Sequence, residues 1–342
     1  MSLQFIMGNS GSGKSHYLYE TVVQEAAKNP NKNYLVIVPE QFTMQTQKDL
    51  CLAHPRGGIM NIDVLSFGRL AHRIFEEVGQ DARTVLDDEG KSLILRKIAG
   101  ACEKDLKVFR GNLKKQGYIS EVKSVISEFT QYGVDFDLLD DFMEEIPFES
   151  YLYYKLDDIR TIYQSFEEYL SEKYITKEEM LDVLSDVVPH SDILKGSVVA
   201  MDGFTGFTPV QNRLIGELFS VCEKVMITVE MDGREDPYVY RDPYQLFAIG
   251  KQMVTSLVKI AKEKKTEIDD AVCFYERPVY RFRNNPETAF LESEIFRYSG
   301  AKYKQDCEFI SMHEVRSPGK EAEYVAANIR RLVCLLYTSD AA

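Results

Sequence analysis

The sequence predicts an α/β fold of the P-loop NTPase type, built on a parallel sheet. Three observations predict it. "GNSGSGKS" at 8–15 follows a short apolar stretch and precedes a helical pattern. "NYLVIVPE" at 33–40 is a continuous apolar run, the pattern of a strand buried on both faces of a parallel sheet. Strand-like and helix-like segments alternate through residue 80, as crossover connections require.

Residues 3–7 read as the first strand, and "KSHYLYETVVQEAAK" as a helix. "FTMQTQKDLCLA" forms the next helix, 61–66 a strand, and 67–78 a helix. From 81 to 194 strand-like runs vanish. "KSLILRKIAGACEKDL", "YISEVKSVISEFTQYG", "LDDFMEEI" and "YYKLDDIRTIYQSFEEYLSEKY" carry apolar residues at i, i+3 and i+4, which predicts a helical insertion. Strand, helix and strand return at "GSVVAMDGF", "TPVQNRLIGELFSVC" and "KVMITVEM", so the first α/β domain is expected from 1–80 plus 195–232. A polar loop, a helix with a basic end and a helix at "NPETAFLESEIFRY" follow. "CEFISMHEVRSPGKEAEYVAANIRRLV" reads as strand, turn and helix, and 233–334 is expected to be the start of a second α/β domain. The final "CLLYTSDAA" breaks the preceding charge pattern, so the chain is expected to be truncated with a non-native tail at 335–342.

Composition narrows the function. A net charge of −13 argues against coating nucleic acid by bulk charge. Lys91, Arg96, Lys97, Lys104, Lys107, Arg110, Lys114, Lys115 and Lys123 nevertheless concentrate cations in 91–123, as a solvated helical face or a local basic groove. The six cysteines are scattered and none forms C-x-x-C, which reads as isolated reduced thiols. There is no secretory signal pattern and no apolar run of membrane-spanning length, so a cytoplasmic location is expected.

"GNSGSGKS" matches G-x-x-x-x-G-K-[ST] between strand and helix, the context in which the motif binds phosphate. Gly8, Asn9, Ser10, Gly11, Ser12, Gly13, Lys14 and Ser15 form the candidate nucleotide loop. Its glycines turn backbone amides toward phosphate, with the helix dipole behind them. Lys14 would meet the β- and γ-phosphates of ATP, and Ser15 would ligate Mg²⁺. Asp202 ends the strand "VVAM" and is the second candidate Mg²⁺ ligand; it also fits a turn or cap in "DGFTG". The next position, where such sites usually carry a water-activating Glu, is Gly203. No catalytic residue is therefore assigned, although Glu40 and Asp63 end neighbouring strands.

Gln41 and Thr43 follow one strand, Phe67, Arg69 and His72 another, and Phe204 and Phe207 a third. If the strands leave one rim, these groups offer stacking platforms, hydrogen bonds and a cation to single-stranded DNA. Each has a plainer reading. Phe67 and Phe204 fit a core, Thr43 fits a helix cap, and Arg69 has Glu76 and Glu77 on the next turns.

"VIVPEQFT" (36–43), "VLSFGRLAHRI" (64–74) and "VVAMDGFTGFTPVQ" (198–211) resemble the B subunit of AddAB-type bacterial helicase–nucleases, over about 1–333. "SPGKEAEYVAANIRRLV" resembles the entry to the second motor domain of that family. The resemblance implies a superfamily 1 helicase-like domain 1A with a 1B-type insertion. It implies an ATP-binding, DNA-binding member of a heterodimer for double-strand break processing, whose AddA-type partner drives translocation. It carries Chi and strand contacts to Gln41, Thr43, Phe67, Arg69 and Phe207; at His72 an aromatic such as Trp also occurs. A RecB-type nuclease domain and an iron–sulfur cluster held by four cysteines are implied only for a carboxyl-terminal part absent here. The competing readings are a P-loop nucleoside or small-molecule kinase and a standalone active helicase.

Overall fold

In the computed structural model, the described residues are 1–340 apart from 56, 80–82, 113–114 and 171–172, with the side chains of 116 and 336–340 also excepted. Lys114 and the expected boundary at 80–81 therefore lie outside the described residues. The chain forms two compact units, Met1–Glu276 and Arg277–Ala342.

The first unit is built on a parallel sheet. β1 (Ser2–Gly8) feeds α1 (Lys14–Lys28), β2 (Tyr34–Ile37) feeds α2 (Thr43–Ala53), and β3 (Ile62–Leu65) feeds α3 (Phe67–Val78). β6 (Val198–Met201) and β7 (Lys224–Glu230) follow later in the chain, separated by α9 (Pro209–Val221). β8 (Glu267–Ile268) and β9 (Val272–Phe274) both pair with β1, giving the order β3-β2-β6-β7-β1-β8 with β9 also on β1. Every described pairing in it is parallel.

Alternation along each strand divides its side chains between two cores. Phe5, Ile37, Val199 and Ile227 lie in one cluster with side chains of α3, α9 and α10 (Ala248–Glu263). Ile6, Val36, Ala200 and Met226 lie in another with Leu18 and Val22 of α1 and Leu50 of α2. Both faces are covered, which is why these strands read as unbroken apolar runs.

The middle of the chain has its own core. Leu95 and Ile98 of α4 (Asp88–Cys102) pack with Val122 and Ile126 of α5 (Gln116–Tyr132) and with Ile162 and Phe166 of α7 (Tyr151–Leu170). α6 (Phe136–Glu144) joins α5 to α7. Buried Asp158 of α7 accepts backbone N–H bonds from Lys107, Val108 and Phe109 at 2.7–2.8 Å, tying the α4–α5 connection to α7. The basic run dissolves into local contacts. Lys91 is buried against Glu178, Lys107 pairs with Asp157, and Lys97 lies over the Tyr169 ring.

Four expectations change here. Strands do occur between 81 and 194: β4 (Thr84–Leu86) and β5 (Tyr174–Thr176) form a two-stranded parallel pair. They are too short for periodicity to reveal. The insertion also ends before 194, because Met180, Leu184 and Val187 of α8 (Glu179–Val187) pack into the sheet's own core. The sheet does not stop at 232, since β8 and β9 extend it to Phe274. Finally, the strand expected at "CEFISMHEV" is irregular backbone. Amides there are taken by a carboxylate instead of a ladder: Glu287, in α11 (Pro286–Glu294), accepts from the N–H groups of Glu308, Phe309 and Ile310. The second unit also contains α12 (Pro318–Asp340). Among the described residues no helix is long and apolar enough to cross a membrane.

Burial and the adjacent Glu179 carboxylate push the Glu167 carboxyl of α7 up to about 7. A raised acid holds its proton more tightly in the folded chain than in the unfolded one. Its contribution is therefore complete below the ordinary carboxylate range and is lost as pH rises through about 7. Glu167→Gln should flatten the fall of the urea midpoint between about pH 5 and pH 8 and raise the midpoint at the upper end. Identical pH profiles for the two chains would refute this.

Candidate functional site

The glycine loop leaves β1 at Gly8 and enters α1 at Lys14. Gly11 and Gly13 have φ of 80° and 104°, the left-handed region that glycine reaches without strain. Gly8 is needed for a different reason: a Cβ there would stand 2.5 Å from Ser12 Oγ and 2.8 Å from the Phe274 carbonyl oxygen. Lys14 is buried and folds back, its Nζ donating to the carbonyls of Gly8 (2.8 Å) and Asn9 (2.9 Å). Ser12 Oγ is buried with no hydrogen-bond partner. The loop thus combines left-handed glycines, an inward ammonium and one unspent hydroxyl.

Asp202 meets this loop from across the sheet. It is 7% exposed and lies one residue past β6. Ser15 Oγ donates to its Oδ1 at 3.0 Å, Thr228 Oγ1 to the same oxygen at 2.6 Å, and Tyr19 OH to Oδ2 at 2.7 Å. Ser15 and Tyr19 are four apart on α1 and so share a face. Burial, then the Asp202 charge, raises the Tyr19 hydroxyl far above its ordinary range, so it remains a donor. Tyr19 also contacts Thr46 Oγ1 of α2 at 3.3 Å. The turn or cap alternative for Asp202 is not what its carboxylate does. Its oxygens receive three hydroxyls from α1 and β7.

Sequence reasoning missed Tyr19 and Thr228; the second is a hydroxyl inside an otherwise apolar strand, which was a usable signal. It also missed Asp232, which is buried after β7. Asn9 Nδ2 reaches Asp232 at 3.5 Å, and the Arg234 guanidinium donates to it through Nε and Nη2, the latter at 2.7 Å. Chemically, the loop and Lys14 suit a polyphosphate, and the Ser15–Asp202 pair suits a divalent cation held beside it.

Gly203 is more than a missing side chain. Its φ is 78°, and a Cβ built there would lie 3.6 Å from Pro39 Cδ. The space is adequate but the backbone is left-handed. Of the two substitutes considered for the absent Glu, Asp63 pairs with Arg73 at 3.0 Å, and Glu40 is exposed in a short 3₁₀ turn.

The three strand exits share one rim. β2 lies between β3 and β6, with Ile37 opposite both Leu65 and Met201. All three run parallel, so the segments beginning at Val38, Ser66 and Asp202 emerge at the same edge. Gln41, Arg69 and His72 are exposed there. Arg69 has no ion-pair partner among the described residues; Glu77 instead accepts from Ser191 Oγ and the Ile193 amide. Phe67 is buried, and its ring lies 5.3 Å from Phe204 and 6.3 Å from Phe207, so the phenylalanines form one half-covered cluster. Thr43 is buried, and its Oγ1 donates to the Glu40 carbonyl at 3.0 Å, which is the capping role.

The family model described as "ADDB, N-terminal" matches residues 5–292. The chain belongs to the AddB N-terminal family. It is similar to a protein of Lachnoclostridium phytofermentans, 42% identical over 336 residues, which are 97% of this chain and 29% of that protein. It is 33% identical over 333 residues to a protein of Clostridium acetobutylicum, and 34% identical over 333 residues to one of Caldanaerobacter subterraneus, covering 97% of this chain and 28% of each relative. All three are named as the B subunit of an ATP-dependent helicase/deoxyribonuclease. This AddB-family chain spans less than a third of the length of these curated relatives.

Gly203→Glu should destabilise the chain by about 1–2 kcal/mol, the cost of a left-handed conformation for a residue with a Cβ. Gly203→Asn should cost less, because Asn tolerates that region. Urea unfolding of both variants checks this, and an unchanged midpoint for Gly203→Glu would refute it.

Proposed function

We propose that this chain is the ATP- and DNA-binding amino-terminal part of a helicase–nuclease subunit that acts on broken DNA, and that its own nucleotide site does not drive a motor. The observation that carries the reading is the meeting of Ser15 and Asp202 beside the glycine loop, followed by a left-handed Gly203 where an activating Glu would stand. ATP would lie along 8–15 with its terminal phosphates near Lys14, and Ser15 and Asp202 would hold Mg²⁺. When bound, the metal neutralises phosphate charge. General-base or water-positioning help is typically worth about 10²–10⁴-fold, and Gly203 supplies none.

In the vocabulary of superfamily 1 helicases, the sheet reads as domain 1A and the α4–α7 region as a 1B-type insertion. The rim of β3, β2 and β6 would carry the strand, with Gln41 and Arg69 contacting it and Phe207 at the edge of the aromatic cluster, and would contribute to Chi recognition. Arg69 is suited to phosphate or base contact because it is exposed and unpaired within the described chain. The relatives are named as B subunits, which supports a heterodimer with an AddA-type partner. Membership of the AddB family leaves the small-molecule kinase alternative without support.

Two measurements test this. Lys14→Ala should weaken ATP binding by about tenfold or more, equivalent to about 1.4 kcal/mol; equal affinity in both proteins would defeat the nucleotide assignment. Arg69→Ala and Gln41→Ala should each weaken single-strand binding by about three- to tenfold. Lys265→Ala, just before β8 at the opposite edge of the sheet, should not. Strand-stimulated ATP turnover near about 10 s⁻¹ would remove the claim that the site is no motor.

A further inference from the structure

We infer that a cavity of about 560 Å³ beside the aromatic rim receives an unpaired nucleobase, and that Ile249 is the wedge separating it from the neighbouring base. The inference rests on the reading that this rim carries a single strand, and names a subsite for it.

The cavity is walled by three separate elements. Tyr132 comes from the end of α5, Phe207 and Asn212 from the start of α9, and Gln252 and Ser256 from α10. Its floor follows directly from Asp202 and Gly203, so it opens at the same edge as the three strand exits. A volume of this size lies within the range of about 300–1,000 Å³ typical of small-molecule sites.

Its chemistry selects the ligand class. Among the described residues no Lys, Arg, Asp or Glu lines it. A phosphate or an ionised metabolite would lose its hydration there without a counterion. A nucleobase is flat and uncharged and presents donors and acceptors along its edge. Two carboxamides, two hydroxyls and two aromatic rings match it: amides read an edge, and rings stack on a face. Gln252 and Ser256 are four apart on α10 and share a face. Among the described residues their side chains have no hydrogen-bond partner. Asn212 directs its Nδ2 to the Phe207 carbonyl at 3.4 Å, which leaves its amide oxygen free to accept.

A second cavity of about 340 Å³ adjoins the first, and the two share Thr205 and Ile249. Ile249 is 62% exposed on this ridge. The backbone holds it there. A Cβ at Gly206 would lie 3.2 Å from Ile249 Cγ2, and one at Gly250 would lie 2.7 Å from the Glu230 carbonyl oxygen, so the start of α10 is pressed onto the end of β7. Phe247, just before α10, takes a left-handed φ of 59°, a strained entry that sets the first turn. An apolar side chain fixed between two base-sized hollows keeps successive bases from stacking.

The test uses the full 342-residue chain and a short single strand in which one abasic residue is stepped through every position. For the unmodified chain, affinity should drop about tenfold at one register, within the stacking range of about 1–3 kcal/mol per base. Gln252→Leu and Ser256→Ala should bind the intact strand more weakly and show little further loss at that register. Arg69→Ala should weaken every strand while keeping the abasic step. A 2-aminopurine at that register should be bright in the unmodified chain and dimmer with Ile249→Ala. Gln252→Leu and Ser256→Ala retaining the whole abasic step would overturn the pocket while leaving the rim intact. Failure of the unmodified chain to bind any of the strands would overturn both.

Discussion

The convergence of three hydroxyls on the Asp202 carboxylate is the constraint around which the rest of the molecule is arranged. Ser15 and Tyr19 bring α1, Thr228 brings β7, and Asp202 brings β6. A carboxylate this buried is costly unless its oxygens are satisfied, and hydrogen bonds to charged groups are worth about 1.5–3 kcal/mol each. Three strands must therefore hold their order and register for the charge to be tolerated. The same register aligns Ile37 with Leu65 and Met201, which is what makes a common rim. Nucleotide loop and rim are thus two products of one sheet geometry. Tyr19 also joins them physically, touching Thr46 of α2, three residues past Thr43.

The helical region relates to this sheet as a separate core with a firm root. Its interior, from Leu95 to Phe166, is closed by its own helices and by the Asp158 clasp. α8 is the root, because its apolar face belongs to the sheet's core. Tyr132 then carries the far end of α5 back to the start of α9, and the hollow beside Phe207 forms between them. Neither core alone would enclose that hollow.

Local pattern exposed much of this. The strand before Gly8, the helix after Lys14 and the α3 bounds all lay in periodicity and in capping by Ser66. The rim residues were legible as types at strand ends. Where the reading failed, the missing information was non-local. "VCF" at 272–274 carries no strand signal by itself and becomes a strand only because the edge of β1 is free to pair. "CEFISMHEV" has strand-like composition, but its amides meet Glu287 before any ladder. Thr43 had two readings, and its bond to the Glu40 carbonyl favours the cap.

By itself the sequence determined the phosphate-loop pattern, the parallel α/β class, and the loss of a carboxylate at Gly203, because each depends on residue type at fixed short spacing. Only the tertiary structure decided that Tyr19 and Thr228 complete the Asp202 cluster, that Gly203 is left-handed, and that α5, α9 and α10 share one uncharged hollow. These features join residues between 4 and 213 positions apart. Contacts at such separations are set by how strands order and helices pack, and short-range pattern carries no record of them.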